Sequence, residues 1–195
     1  MNAEPSSAAP AAKPKKVVSA NPADRYSGAG STPDPWDQCA QLTYGADRSF
    51  AWSVREQVIA TPAEGHARIE EKLLRALATA GRTDAGLAFL CQMLAMVGSV
   101  KSVPALAPLL RDAQTADSAR YALERIAGPE ADAAFRDALP SLTGNLKAGL
   151  IGSIGVRGDT AATAALAALK DAAGEPAIVR EAATRALARL ATAKA

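Results

Sequence analysis

The chain is poor in the residues that usually carry chemistry. A single histidine, His66, stands among 195 residues, so a metal centre built from several imidazoles of one chain is excluded by counting. Two cysteines, Cys39 and Cys91, are too few for a disulfide framework and, without histidine help, too few for a structural zinc site. Aromatic residues make up only 4% although apolar residues reach 49%. The difference is mostly alanine and leucine, which are strong helix formers and weak strand formers, and the expected class is all-α. No run of about 18 apolar residues exists to cross a bilayer, so no membrane insertion is expected. The formal net charge is +2, and acidic and basic residues are interleaved. A nucleic-acid surface needs a basic patch to displace counterions, so no nucleic-acid partner is expected either.

The first residues also lack the apolar centre of a signal peptide, because Val17-Val18 is flanked by Lys13, Lys15, Lys16 and Asn21. A soluble cytoplasmic chain is the default expectation, with export left open by a leader removed beforehand. Pro5, Pro10, Pro14, Pro22, Pro33 and Pro35 are spaced too closely for a helix to grow between them. Residues 1–35 therefore read as a flexible Pro/Ala/Ser/Lys-rich tail. Trp36 and Tyr44 are expected to mark where the chain lands on the folded body, since large aromatics are rarely left free in solvent.

What is present is helical periodicity. Phe50, Val54 and Val58 recur at four-residue intervals from Ser49. Thr61-Pro62-Ala63-Glu64 has the form of a capping box, opening a helix that Gly81 ends. Ile69, Leu73, Leu74, Ala76 and Leu77 supply its buried stripe, and Arg68, Glu70, Glu71, Lys72 and Arg75 are expected to face water. Residues 36–82 thus read as N-terminal capping helices. A helix from about Asp84 to Val97 follows, with Gly98 after it, and Ser102 can cap a shorter one. Next come a pair divided by Gly128-Pro129, a pair capped by Asn145 and Asp159, and a last helix from Pro176 to about Ala191.

Equivalent positions keep a register. Val97 to Ile126 is 29 residues and Ile126 to Ile154 is 28, while Leu106 to Phe135 is 29 and Phe135 to Leu166 is 31. Anchors on both helices agree on a period near 30, whose unit is a short antiparallel helix pair. One such pair cannot bury its apolar face alone, and stacking neighbours does it. Residues 83–195 are read as the array.

Val103-Pro104-Ala105-Leu106 running into Leu109-Leu110-Arg111-Asp112, and Val179-Arg180-Glu181-Ala182-Ala183 running into Ala186-Leu187-Ala188-Arg189-Leu190, resemble the second and first helices of the short HEAT-like repeats named after phycobilisome lyases. The resemblance covers about Asp84 to the C-terminus. It implies a short right-handed α-α superhelix, a HEAT-like solenoid of antiparallel helix pairs. Ala133-Ala134-Phe135 departs from the Val-Pro-Ala-Leu phrase, so that ridge is expected to pack differently. The repeat, with no nucleophile-base or metal constellation beside it, points to binding: a non-catalytic scaffold or adaptor that holds a protein partner along its surface, with no cofactor. The alternatives are a phycobilin-lyase-like enzyme subunit and a structural subunit of a larger assembly.

Candidate sites are few. His66 and Glu70 are spaced i, i+4, which places them on one helix face; a HEAT-like family of iron hydroxylases uses repeated His-Glu pairs, but one histidine cannot repeat, and a partly exposed surface histidine is expected. Arg157-Gly158-Asp159 matches the integrin-type tripeptide, yet glycine for the turn and Asp159 as cap explain it locally. Gly149, Gly152 and Gly155 lie inside a helix with no preceding strand, which points to close packing rather than a phosphate loop. Cys91 lies on an apolar stripe and reads as a buried thiol. Arg120, Lys147, Arg157 and Arg180 are the expected partner-binding residues. Arg120, Lys147 and Arg180 fall near the starts of successive first helices and form a shallow charged ladder on an otherwise solvated exterior.

Overall fold

The computed structural model describes residues 34–192, and the expected tail lies almost wholly outside that range. The described residues are all-α, without a strand. The helices are α1 (Pro35–Gln38), α2 (Ser49–Ala60), α3 (His66–Leu77), α4 (Asp84–Val97), α5 (Val103–Leu106), α6 (Ala116–Arg125), α7 (Pro129–Ala138), α8 (Gly144–Arg157), α9 (Thr163–Asp171) and α10 (Ala177–Thr192). Short 3-10 turns extend several of them, notably Cys39–Gln41 after α1 and Ala107–Arg111 after α5.

The anchors that set the period are core residues. Val97, Ile126 and Ile154 are buried, as are Leu106, Phe135 and Leu166. Each large aliphatic side chain taken fully from water contributes roughly 1.5–3 kcal/mol, so the recurrent positions are also where the fold gains most. Contacts run from α4 to α6, from α6 to α8 and from α8 to α10. The intervening elements bridge forward: Ala107–Arg111 packs on α6 and α7, α7 on α8, and α9 on α10.

The N-terminal helices are held differently. α1 packs on both α2 and α3, and α4 also lies against each of them. Trp36 is buried in this seam, with the Lys72 ammonium 4.8 Å above its ring. Tyr44, expected to land beside it, instead stands 80% exposed. Thr83 explains how α4 is seated: its hydroxyl accepts from the Gly86 amide at 2.9 Å while donating to the Leu42 carbonyl at 2.5 Å, and its amide donates to the Ala40 carbonyl. Gly86 is required there, because a Cβ would collide with the Ala40 carbonyl.

Three expected caps are placed otherwise. The Thr61 hydroxyl donates back to the Gln57 carbonyl at the end of α2, so no capping box forms, and α3 begins only at His66 after a 3-10 turn. Ser99 rather than Ser102 caps the turn before α5, accepting from the Lys101 amide. Asn145 lies inside α8, whose N-cap is Thr143. α3 also stops at Leu77, short of Gly81. Asp159 does cap, accepting from the Ala161 amide at 3.1 Å. Gly128 (φ 111°) and Gly158 (φ 73°) adopt the positive-φ backbone that the turns between paired helices need.

Candidate functional site

The polar side chains sort into two groups, and the first lies at junctions between successive units. Glu70 on α3, expected to face water, is only 2% exposed. Its carboxylate accepts from the Ser99 amide at 2.7 Å, from the Ser99 hydroxyl at 2.8 and 3.0 Å, and from the Ser102 hydroxyl at 2.5 Å. Burial pushes its pKa up, but the hydrogen bonds from Ser102 and Ser99, with the Lys101 charge, outweigh this and hold the carboxyl below its ordinary value. Glu70 is therefore turned to the segment between α4 and α5. His66 is half-buried, its Nε2 3.2 Å from the Thr61 carbonyl.

The four expected partner-binding residues occupy two further junctions. Arg120 on α6 pairs with Asp117 at 3.2 Å and Glu124 at 3.7 Å and donates to the buried Ser153 hydroxyl on α8 at 3.1 Å. Ser153 in turn donates to Glu124 at 2.7 Å. Arg157, at the end of α8, reaches back to the end of α6, where its guanidinium donates to the carbonyls of Leu123, Glu124, Ile126 and Gly128 and pairs with Asp132. Carbonyls at a helix C-terminus lack intrahelical donors, and one fork of N–H groups supplies several at once. Lys147 is 7% exposed and pairs with Glu175, whose backbone carbonyl also accepts from Arg180. Arg120 and Arg157 thus converge on Glu124, and Lys147 and Arg180 converge on Glu175. Lys147 and Arg157 belong to the interior of the junctions, a correction to the solvated exterior expected of them, because Glu175 of the next unit meets Lys147 and α6 and α7 of the preceding unit hold Arg157.

The other singled-out features also resolve locally. In the Arg157-Gly158-Asp159 tripeptide both charged side chains are engaged, Asp159 by Arg136. Of the three α8 glycines only Gly155 is forced by packing, since a Cβ would lie 3.0 Å from both Cα and Cβ of Ala186 on α10. Gly152 has open space around it. Cys39 and Cys91 are free and buried, and burial pushes both thiols up to about 12, so neither carries the thiolate that nucleophilic chemistry needs.

The second group faces outward, on a cleft between α2 and α4 that the sequence does not single out. Its lining is Arg48, Ala51, Trp52 and Arg55 from α2 and its N-cap, with Phe89 and Gln92 from α4. Arg48, Trp52, Arg55 and Ile59 recur along a helix face adjoining the buried Ala51, Val54 and Val58. Trp52 is 59% exposed, and Ile59 and Met96 extend apolar surface beyond it. The Arg48 guanidinium lies 5.6 Å from the Tyr44 ring centroid, which accounts for that exposed tyrosine. No carboxylate lines the cleft, and among the described residues neither Arg48 nor Arg55 has an ion-pair partner. A signal was available in the sequence: a tryptophan outside the Phe50-Val54-Val58 spacing, flanked by arginines at i−4 and i+3. No family model, curated protein or solved structure matches the chain.

Proposed function

We propose that this chain is a non-catalytic adaptor, a short right-handed α-α superhelix of HEAT-like type that holds a protein partner on its outward surface. The reading rests on the repetition itself. Six anchor positions near a 30-residue period are all buried, and α4, α6, α8 and α10 pack each on the next, which is the nearest-neighbour logic of arrays that present extended surfaces. The cationic residues at the junctions have partners within the chain, so partner contact falls to positions such as those of the α2–α4 cleft. Large apolar side chains exposed beside unpaired cations are common at protein-recognition surfaces.

The test uses the full chain carrying a photoreactive residue at one exposed position at a time, at Gln92, Tyr121, Val156 or Arg185, in its native source. An adaptor cross-links to a recurrent protein from neighbouring positions and not from those on the other side. A purified chain that turned over a small molecule, with activity abolished by a point change on the array, overturns the reading. Small-angle scattering of the same material tests the superhelical arrangement.

A further inference from the structure

We propose that the cleft between α2 and α4 binds a short acidic segment of a partner protein, with two carboxylates on Arg48 and Arg55 and an apolar side chain between them against Trp52 and Phe89. The inference rests on the adaptor reading and adds the chemistry of what is held.

Charge complementarity carries the argument. Arg48 and Arg55 are the cations of the cleft, both exposed, and no acidic side chain lines it. Guanidinium groups take carboxylates through paired N–H donors, and here those donors are not already used by ion pairs among the described residues. At the unit junctions, by contrast, Arg120, Arg136, Lys147 and Arg157 all have carboxylate partners. Between the two arginines the floor is aromatic, with Trp52 largely open and Phe89 half-buried. A partner that supplied only charge would leave that apolar surface wet.

Spacing sets the form of the ligand. Seven residues of helix separate Arg48 from Arg55, about 10.5 Å along the axis at roughly 1.5 Å per residue. A peptide in the polyproline-II conformation advances about 3.1 Å per residue and returns to the same face every third residue, so carboxylates three residues apart match that span on one face and leave an intervening side chain for Trp52. The expected pattern is acidic, any, apolar, acidic.

Two other occupants fit less well. Nucleic acid needs a track of cations along its backbone, but this cleft offers two, with exposed Asp47 and Glu56 close by in sequence and a formal net charge of only +2 on the whole chain. Residues 1–33 of the chain itself hold four basic residues against two acidic ones, the wrong sign for the cleft.

The experiment is selection of a randomised twelve-residue peptide display library on the immobilised full chain, in parallel on the R48E/R55E and W52A variants. All three positions are exposed, and circular dichroism checks that each variant keeps its helicity. Selection on the wild type should enrich carboxylates three residues apart around an aromatic or aliphatic residue. A synthetic peptide of that pattern should bind in the micromolar range, weaken as salt rises, and lose at least tenfold in affinity on R48E/R55E and on W52A. Lysines in place of its carboxylates should restore binding to R48E/R55E. Enriched peptides that bind R48E/R55E equally well overturn the cleft while leaving the adaptor reading intact, and absence of enrichment on all three chains counts against both. Binding of a labelled oligothymidylate, lost in R48E/R55E, overturns the proposal in favour of nucleic acid. So does dimerisation at micromolar concentration that R48E/R55E abolishes, in favour of a second copy.

Discussion

Glu70→Ala should destabilise the chain by about 3 kcal/mol. The carboxylate receives three donors from the segment between α4 and α5: the Ser99 amide, the Ser99 hydroxyl and the Ser102 hydroxyl. Ser102 is fully buried, so removing its acceptor leaves a hydroxyl that water does not reach, a loss of roughly 1–3 kcal/mol. Ser99 is half-exposed and recovers part of its loss from solvent. Bonds to a charged acceptor are each stronger than neutral ones, at about 1.5–3 kcal/mol, so the total lies above that of one stranded donor. For a chain of this size such a loss lowers Tm by roughly 6–12 °C. Glu70→Gln keeps an acceptor and loses the charge, and should cost about 1–2 kcal/mol at neutral pH.

The two variants differ in their pH dependence. The Glu70 carboxyl is held below its ordinary value in the folded chain, by Ser102 and Ser99 against the opposing effect of burial. Its ionised form therefore adds stability above the unfolded pKa of about 4.3. That contribution fades as the pH falls through the lower folded value. The gap between wild type and Glu70→Gln, measured by urea unfolding from pH 7 to pH 3, should narrow as the carboxyl becomes protonated. Adding Ser102→Ala to Glu70→Ala should recover roughly 1 kcal/mol, because the stranded hydroxyl is gone. A Glu70→Ala variant within 0.5 kcal/mol of wild type would refute the reasoning, as would a Glu70→Gln gap of unchanged size at pH 3.

Arg157→Met should cost about 3–4 kcal/mol in urea unfolding, since it strands Asp132 and the carbonyls at the end of α6. Arg157→Lys should recover only part of this, because an ammonium cannot reach the same fork of acceptors. Gly155→Ala and Gly152→Ala should have opposite signs: the first presses a methyl to 3.0 Å from Ala186 and should cost about 1–3 kcal/mol, whereas the second meets open space and should gain roughly 0.5–1 kcal/mol from helix propensity. Both cysteines should be silent to a thiol reagent in the native chain at pH 8 and react together once urea unfolds it; a fast native-state reaction at either contradicts their burial and raised pKa.

The core was legible because periodicity sees one helix at a time, and the core positions are a property of single helices. α4 runs over Asp84–Val97, where its three-and-four spacing of Leu87, Leu90, Cys91, Leu94 and Val97 places it. The caps were harder because a hydroxyl has several partners within reach and its choice depends on what packs nearby. Ser102 reads as a helix cap until Glu70, 32 residues earlier, offers it a carboxylate at 2.5 Å. Glu70 carried its own warning: it follows Ile69 and precedes Leu73 by three, inside the apolar stripe of α3, where a charged side chain must find donors at depth.

Partners across the unit junctions distinguish Arg120, Lys147 and Arg157 from Arg48 and Arg55, which have no ion-pair partner among the described residues. Spacing alone placed Arg120, Lys147 and Arg180 in a ladder, and the three do occupy corresponding places on α6, α8 and α10. For Arg120 and Lys147 the partner comes from the following unit, which brings Ser153 to Arg120 and Glu175 to Lys147, whereas Arg180 donates to the Glu175 carbonyl within its own unit. Buried pairs of this kind add little net stability, because desolvation offsets most of the attraction, but an unpaired buried charge is costly. A junction that buries Lys147 therefore depends on Glu175, and removing the carboxylate leaves a buried ammonium without its partner. Arg48 and Arg55 sit at the N-terminal end of this series, on a helix whose outward face no described element covers. Among the described residues neither has an ion-pair partner, and under the proposal above an acidic segment supplies from another molecule what Glu175 supplies to Lys147 within the chain.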